Sequence, residues 1–272
     1  MRDTLAKKKN KAKPAPADEK TSGEKPQKQR ETWMEFIGSM AAVLVSGLFI
    51  ITFVMQAFEI PSASMENTLL IGDHLFVDRV SLAPRAKWVG PLLPYGKIKR
   101  GDIIVFISLT TPGMYLVKRV RGLPGDKIHL KDGNLYVNGE LQNEPFVIHD
   151  SSRGPDYYRD NFPDAPMPLR EDIPEYWRLT MRSHVQNGDF VVPPEHYFAM
   201  GDNRDDSLDS RYWGPVPQEN LIGRPMFIYW SFDAPESSYQ PASFGDRIDN
   251  FLQTVIHFFD KTRWRRTLNM VH

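Results

Sequence analysis

The sequence predicts a mostly β protein body behind a single N-terminal transmembrane helix. Two observations carry this prediction. One long uncharged apolar run lies near the N-terminus, and after it come short apolar runs with a period of two, bounded by Gly, Pro, Asn and Asp. With 272 residues, 41% of them hydrophobic and 12% aromatic, the chain can bury a sizeable core.

Charge is balanced over the whole chain but unevenly distributed along it. Lys plus Arg and Asp plus Glu both total 34, so no overall basic field favours nucleic acid as a partner. Residues 1–32 hold ten Lys or Arg, five Asp or Glu and almost nothing that could be buried. This composition predicts a disordered basic tail over 1–35. The chain has no cysteine, which excludes a disulfide, a thiol nucleophile and a thiolate metal site.

The apolar run over 36–58 predicts a membrane-spanning helix. Its 23 residues carry no formal charge; as a helix they would extend about 35 Å, enough to cross a hydrocarbon core of ~30 Å. A cleaved signal peptide has a shorter apolar core of ~7 to 15 residues. Four Lys or Arg residues lie within 16–35 and none within 59–78. We therefore expect the tail to be cytoplasmic and the body to lie outside.

Eight segments after the anchor have the composition of β-strands. Asp132-Gly133 and Asn138-Gly139 predict tight hairpin turns, because both central residues of such turns need positive φ. We expect residues 59–126 and 188–240 to form the core of the body and 127–187 to form an inserted β and loop subdomain, which is Pro-rich and polar from about 144. The predicted strands are 74–80, 102–109, 114–122, 127–130, 135–139, 189–193, 196–200 and 225–232.

An amphipathic helix is predicted over 245–266. Its apolar residues recur at helical spacing, and the basic sequence KTRWRR follows them. The helix could pack on the β body, or it could lie on the membrane surface with Trp264 and the arginines at the lipid headgroups. The apolar residues of this stripe are Ile248, Phe251, Leu252, Val255, Ile256 and Phe259.

Two serines, Ser62 and Ser64, stand directly after the anchor in the sequence FEIPSASMENTLLIGD over 58–73. A serine hydroxyl needs a base to become a nucleophile, and none of the seven histidines lies in a G-x-S-x-G elbow. A desolvated lysine can act instead. Lys118 shares its strand face with Leu116 and Val120, which indicates an apolar setting; the alternative is an edge-strand lysine that reaches water.

A third polar segment, GDNRDDSLDSRYWG over 201–214, follows a predicted strand. Its many acids could form a solvated loop or a weak calcium site. Arg204 argues against an EF-hand-like loop, because it occupies a position where a cation ligand is needed.

Four boxes in this order, IPSASM, RGDIIVF, VKRVRGLPGD and GDNRDDSLDSRYWG, resemble the signature boxes of bacterial type I signal peptidases, the leader peptidases with a Ser-Lys dyad. The resemblance implies that Ser64 is the nucleophile and Lys118 its general base. It implies an oxyanion hole made by the Ser62 side chain and the Ser64 backbone N–H. Ser207 would orient the lysine amine, with Asp209 and Arg211 as a supporting ion pair.

The resemblance also implies shallow pockets for small P1 and P3 side chains. Two positions depart from the family pattern: Ala63 stands where glycine is common, and Asp206 where asparagine is common. The pocket residues implied are Phe58, Ile60, Met65, Leu69, Leu116 and Val117.

The function implied is a membrane-anchored serine endopeptidase that cleaves signal peptides from exported preproteins through an acyl-enzyme, without a metal or other cofactor. Implied partners are these preproteins, the lipid bilayer and the protein export machinery, but no nucleic acid. The implied location is the bacterial inner membrane. Two alternatives are a self-cleaving repressor of the DNA-damage response, disfavoured by the anchor, and a catalytically inactive exported scaffold or chaperone.

Overall fold

A computed structural model describes residues 32–82, 96–233 and 243–271. The chain divides into two compact units, Met1–Leu44 and Val45–His272. Most of the tail predicted over 1–35 lies outside the described residues. Its boundary is corrected by the structure, because helix already begins at Trp33.

The predicted membrane span is a helix, but it ends earlier than expected. Helix α1 covers Trp33–Phe49, and a π-helical turn follows over Ile50–Val54. Together they form a segment of 22 residues that is long and apolar enough to cross a membrane. The last four residues of the predicted span, 55–58, instead belong to strand β1. An apolar run does not distinguish helix from buried strand by itself.

The body contains twelve strands in two antiparallel sheets within the described residues. The first sheet has the strand order β1-β2-β12-β3-β4-β10-β11, and the second has β7-β6-β5-β9-β8. The strands are β1 Met55–Glu59, β2 Asp73–Asp78, β3 Ile103–Ile107, β4 Tyr115–Gly122, β5 Lys127–Lys131, β6 Asn134–Val137, β7 Glu140–Leu141, β8 Val185–Gln186, β9 Asp189–Val191, β10 His196–Met200, β11 Val216–Pro217 and β12 Leu221–Ser231.

The mostly β class is thus confirmed, and its period-two signal has a clear origin in burial. Along β2, alternate residues are buried and half-buried, as expected for a sheet with one face on the core. Asp132-Gly133 and Asn138-Gly139 have positive φ throughout, at 49°, 79°, 55° and 82°, as their turns require. The strands β7, β8 and β11 have only two residues each, too few for a sequence period.

The Pro-rich segment from about 144 to 187 packs into a core with the second sheet. Phe162 and Trp177 are almost fully buried against Phe190 and Phe198. Strand β9 pairs with β5, so the second sheet extends past the boundary expected at 187. The short helices here are α2 Tyr157–Asp160 and α3 Glu175–Thr180.

A four-residue helix, α4, covers Ser210–Trp213 between β10 and β11. After β12, near the C-terminus, a helix in two pieces follows: α5 covers Phe244–Ile256 and α6 covers Phe258–Lys261. The predicted helix over 245–266 is therefore confirmed only as far as Lys261. After this helix, Thr262 forms an isolated bridge with Phe232, directly after β12, and Met270 forms one with Phe227 of β12.

Gly223 lies at a register shift between β12 and β3, and its lack of a side chain is required where β12 closely approaches β2. A Cβ at this position would lie 2.8 Å from Val77 Cγ1 and still closer to the backbone carbonyl of Asp78. Because backbone cannot move aside cheaply, Gly223→Ala should reduce the free energy of unfolding by about 1–3 kcal/mol, as a lower melting temperature. Gly245→Ala in α5 is the control, since its nearest neighbour would be 3.6 Å away. Equal melting temperatures for the two variants would contradict the prediction.

Candidate active site

Ser64 lies in a 3-10 turn, Ala63–Met65, shortly after β1. Met65 anchors the turn, since its side chain is 1% exposed in the core. The backbone N–H of Asn203 donates to the carbonyl of Ser64 at 3.2 Å. This bond fixes the turn against the loop after β10.

Lys118 points into the body beneath that turn. It lies on β4, opposite Ile104 of β3, and is 3% exposed. Its Nζ is hydrogen-bonded to Ser64 Oγ at 2.5 Å. Burial lowers the pKa of Lys118 to about 8, although the carboxylates of Asp209 and Asp202 partly oppose the change. The two side chains singled out in the sequence are thus in contact.

Asp209 and Arg211 form a buried ion pair, with Arg211 Nη2 donating to Asp209 Oδ2 at 2.8 Å. Asp209 also accepts from the backbone N–H of Gly201 at 3.1 Å. Burial by itself would raise the pKa of Asp209, but the charge and hydrogen bonds of Arg211 hold it below its ordinary value. Asp209 therefore stays ionised, with its charge neutralised by Arg211, and its bond to Gly201 holds the loop over 201–209 in place.

Ser207 lines the same cavity as Ser64 and Lys118. Its Oγ is buried and has no hydrogen-bond partner, so the expected bond to the lysine amine is not formed in this structure. Gly201 lies directly against it: a Cβ on Gly201 would be 2.5 Å from Ser207 Cβ and 2.5 Å from Ser64 O. Glycine is what allows the two serines to approach each other.

Ser62 is exposed and precedes the 3-10 turn. Its side chain makes no capping hydrogen bond with that turn, so its hydroxyl is not committed to local structure. It lines both of the cavities that meet at Ser64.

An apolar cavity of about 440 Å³ opens on one side of Ser64 and Lys118. Five of the six predicted pocket residues line it: Phe58, Ile60, Met65, Leu116 and Val117. The sixth, Leu69, is fully buried in the same core cluster as Met65 and does not line the cavity. Glu59, Pro61, Met114 and Tyr115 also line this cavity and were not indicated by the sequence.

A second cavity of about 380 Å³ lies on the other side of the two residues and is lined mainly by polar groups. Much of its wall comes from the segment after 144, which the sequence did not connect with the site. The charged residues in this wall are Arg153, Asp156, Arg159, Arg170, Asp205 and Asp206.

Comparison with known proteins decides the family. The sequence profile described as signal peptidase, peptidase S26, matches residues 32–230. This chain belongs to that family. Signal peptidase I of Pseudomonas aeruginosa is 33% identical over 222 residues, covering 76% of each chain. Probable signal peptidase I-2 of a Synechocystis species is 33% identical, covering 77% of this chain and 79% of the relative.

A solved structure, signal peptidase I from Enterococcus faecalis V583, is 30% identical and covers 47% of this chain and 97% of its own. The TM-score of this pair is 0.33. Family membership makes this chain a signal-peptide-cleaving serine endopeptidase whose substrates are preproteins with signal peptides. Together with the apolar helix Trp33–Val54, it indicates membrane anchoring. The alternative of an inactive scaffold has no support.

The acids of the peptidase loop over 202–209 are paired with arginines. Asp202 accepts from Arg119 Nε at 2.8 Å and from Thr68 Oγ1 at 2.6 Å, which joins β4 to the segment after Ser64. Asp205 contacts Arg159 and Asp206 contacts Arg153, at 3.2 and 2.5 Å. Among the described residues, no group of three or more His, Asp or Glu is arranged to hold a metal.

Glu144 joins the start of the inserted segment to the same region. Its carboxylate contacts Arg121 at 2.8 Å and Arg204 at 2.5 Å. Phe146 lies beneath the Arg119 guanidinium, 4.0 Å from ring centroid to Cζ. The inserted segment is therefore part of the support of the site, which its variable appearance in the sequence did not indicate.

The contacts of Gly201 predict that Gly201→Ala still folds, with a lowered melting temperature, but loses activity. The added methyl must displace Ser64 or Ser207, and displacement of a reacting group by about 1 Å can cost about 10²-fold in rate. Cleavage rate and melting temperature should be measured together. A cleavage rate within about twofold of wild type would show that the close contact of Gly201 with Ser64 and Ser207 is not needed for activity.

Proposed function

We propose that this peptidase cleaves preproteins by acyl transfer, with Ser64 as nucleophile and Lys118 as general base. The observation that carries the proposal is the 2.5 Å contact between the buried Lys118 Nζ and Ser64 Oγ. A hydroxyl and an amine at this distance can exchange a proton directly. The proposal concerns the roles of individual residues within the family activity.

In the first step, the neutral Lys118 amine accepts the Ser64 proton while Ser64 Oγ attacks the scissile carbonyl carbon. The carbonyl π electrons move to oxygen, which becomes an oxyanion. The Ser62 hydroxyl and the Ser64 backbone N–H would donate to this oxyanion. The tetrahedral intermediate then collapses, Lys118 returns its proton to the leaving amine, and an ester remains on Ser64.

In the second step, water replaces the amine. Lys118, neutral again, accepts a proton from water as the oxygen of that water attacks the ester carbonyl. Collapse of the new intermediate releases the carboxyl end of the signal peptide, and the lysine proton returns to Ser64 Oγ. All protons are accounted for by Lys118, Ser64 and the water.

The lowered pKa of Lys118 decides whether the base is available. With a pKa of about 8, roughly one amine in ten is neutral at pH 7, against roughly one in 2,500 at the ordinary pKa near 10.4. Burial therefore supplies a gain of roughly two orders of magnitude in the reactive form. Ser207 would orient the amine in the working state, and the Asp209–Arg211 pair would support the loop that carries it.

The two cavities differ in polarity, and each suits one side of the cleaved bond. The apolar cavity lined by Phe58, Ile60 and Met65 would accept small apolar side chains on the signal-peptide side. Leu116 and Val117, half-buried on β4 beside Lys118, would flank the same residues. The polar cavity would then receive the mature side of the cleaved bond.

We further propose that the tail is cytoplasmic and that the catalytic body lies on the outer side of a bacterial inner membrane, where exported preproteins and their export machinery meet it. The support is the positive charge before the anchor and the lack of Lys or Arg over 59–78. Protease added outside intact spheroplasts should digest the body; a fully protected body would contradict this orientation.

Cleavage should rise with pH through an apparent pKa of about 8, because only the neutral Lys118 accepts a proton. Lys118→Arg should be inactive at every pH, since guanidinium does not lose its proton in proteins. Ser64→Ala should be inactive as well and should not form an ester with substrate. The measurement is the pH profile of kcat/KM, with mass spectrometry of the trapped acyl-enzyme.

The matched control is Lys127→Arg, an exposed lysine on β5, which should keep the wild-type profile. Wild-type turnover in Lys118→Arg would transfer the role of base to another group. Normal turnover in Ser64→Ala would remove Ser64 as the nucleophile.

Ser62→Ala should lower kcat by about 10²- to 10³-fold with little change in KM, because a donor aimed at the oxyanion acts mainly in the transition state. Ser62→Thr retains the hydroxyl and should recover part of the rate. Single-turnover rates and thermal melts of both variants are the measurement. If Ser62 only shaped the turn, both variants would keep kcat within about twofold and lose stability instead.

A further inference from the structure

Helix α5 presents an apolar face that no described part of the chain covers. We call its members the apolar stripe: Ile248, Phe251, Leu252, Val255, Ile256 and, at the start of α6, Phe259. Phe251 is 66% exposed, Val255 58% and Phe259 78%. Single exposed apolar residues are ordinary, but a contiguous set on one face marks an interaction surface. Of the two placements that the sequence left open, packing of this stripe on the β body is not observed among the described residues.

The helix is an ordered element with a defined start. Ser243 caps it through a reciprocal capping box with Asp246, in which each side chain accepts from the backbone N–H of the other. Gln253 is exposed, and helical spacing places it on the face opposite Phe251. The helix thus has the two faces of an interfacial amphipathic helix.

The end of the helix is held firmly to the first sheet. The Asp233 N–H donates to the Lys261 carbonyl and the Arg263 N–H to the Ser231 carbonyl, both at 2.8 Å. Arg266 forms an ion pair at 2.5 Å with Asp73, whose carboxylate is fully buried. These contacts hold the chain directly after α6, and thereby the C-terminal end of the stripe at Phe259, close to β12 and β2.

The same sheet begins at the end of the apolar anchor. Strand β1 starts at Met55, directly after the turn that ends at Val54, so no linker separates the two. Strand β1 pairs with β2, and β2 pairs with β12, which places β1 and β12 roughly 10 Å apart at the usual spacing of ~4.8 Å per strand. Trp230 of β12 contacts Phe258, with ring centroids 5.9 Å apart.

The chain therefore passes from the anchor directly into the sheet whose strand β12 contacts the start of α6. The residues at the end of the helix suit the boundary of a bilayer. Trp264 is 52% exposed and stacks on Phe259 at 6.3 Å, and Arg265 beside it is exposed. Tryptophan and arginine are favoured at lipid headgroups, where anionic lipid attracts the cation.

We propose that α5 lies in the plane of the membrane interface, with the apolar stripe inserted at the boundary between headgroups and acyl chains. The body then has two points of contact with the bilayer, the anchor and this helix. A body attached to the bilayer at one point can rotate about that point, whereas attachment at two points restricts its orientation. This restriction raises the effective concentration of the site toward bonds presented at the membrane surface.

The lack of cysteine in the chain makes a direct test possible on the full-length protein. Phe251→Cys on the stripe and Gln253→Cys on the opposite face each receive one nitroxide label in vesicles of phosphatidylethanolamine and phosphatidylglycerol. The label at 251 should collide with oxygen, which concentrates in lipid, and be shielded from a water-soluble nickel chelate. The label at 253 should show the reverse.

Two results would overturn the proposal. Equal access of nickel to both labels would leave the stripe in water. Shielding of label 251 from both oxygen and nickel would indicate a protein occupant, such as a second copy or a partner. Neither readout depends on catalysis, so a failure here is distinct from a failure of the proposed Ser64 and Lys118 roles.

A second readout separates membrane contact from folding. The double variant Phe251→Asp with Val255→Asp should lower the ratio of two rates, cleavage of a vesicle-inserted preprotein over cleavage of a soluble peptide in detergent, by roughly fivefold or more. Gln253→Asp adds a charge to the polar face and should leave this ratio unchanged. An unchanged ratio in the double variant would overturn the functional consequence of the contact.

Discussion

The burial of one lysine amine is the constraint on which the site depends. Lys118 is covered by the protein itself, and the loss of water lowers its pKa from 10.5 to about 8. A lysine whose pKa is lower in the folded state opposes folding wherever the unfolded chain would be protonated. The cost is fully present below about pH 8, amounts to about 3 kcal/mol, and declines as pH rises toward 10.5. The rest of the structure must offset this cost.

The offset comes from elements that surround the amine on several sides. Strand β3 supplies Ile104 opposite Lys118, and the loop after β10 supplies the buried Asp209–Arg211 pair. Tyr158 and Trp177 of the inserted segment donate to the carbonyl of Arg211 at 2.6 and 3.1 Å. A buried ion pair is poor evidence of stability by itself, but this one holds Gly201 and thereby the wall of the site. The core of the second sheet thus supports the site around Lys118 through Arg211, Asp209 and Gly201.

The sequence was informative where a local period or a specific turn carries the structure. Strand β10 was predicted with its observed bounds, 196–200, and both hairpin turns followed from Asp-Gly and Asn-Gly. The sequence was uninformative where contacts between distant segments of the chain determine the structure. Strand β1 is hidden in a continuous apolar run, and only its pairing with β2 makes it a strand. Leu69 matches a pocket position in the family pattern, but it is fully buried in the core, and its cluster neighbour Met65 lines the cavity.

The burial of Lys118 illustrates the same limit at the level of one residue. Its alternation with Leu116 and Val120 is equally compatible with an edge strand, where a lysine reaches water. The deciding fact is that β3 and β10 flank β4 on both sides, which no local pattern reveals. The polar cavity was missed for a related reason. Its charged residues are spread over 153–206 and are brought together by the inserted segment.

The base and the oxyanion donors of this peptidase differ in how far they are prepared before substrate arrives. The amine of Lys118 is already dehydrated, so its basicity does not depend on the substrate. Ser62, by contrast, is exposed on the rim of both cavities, and its hydroxyl is solvated until a peptide covers it. A donor in water stabilises an oxyanion much less than a donor in a water-excluded site. A peptide that fills the apolar cavity beside Met65 would exclude that water, whereas a poorly fitting one would leave it in place. The fit of small apolar side chains would then determine the rate of the chemical step as well as binding, because the same contact that holds the peptide completes the oxyanion hole.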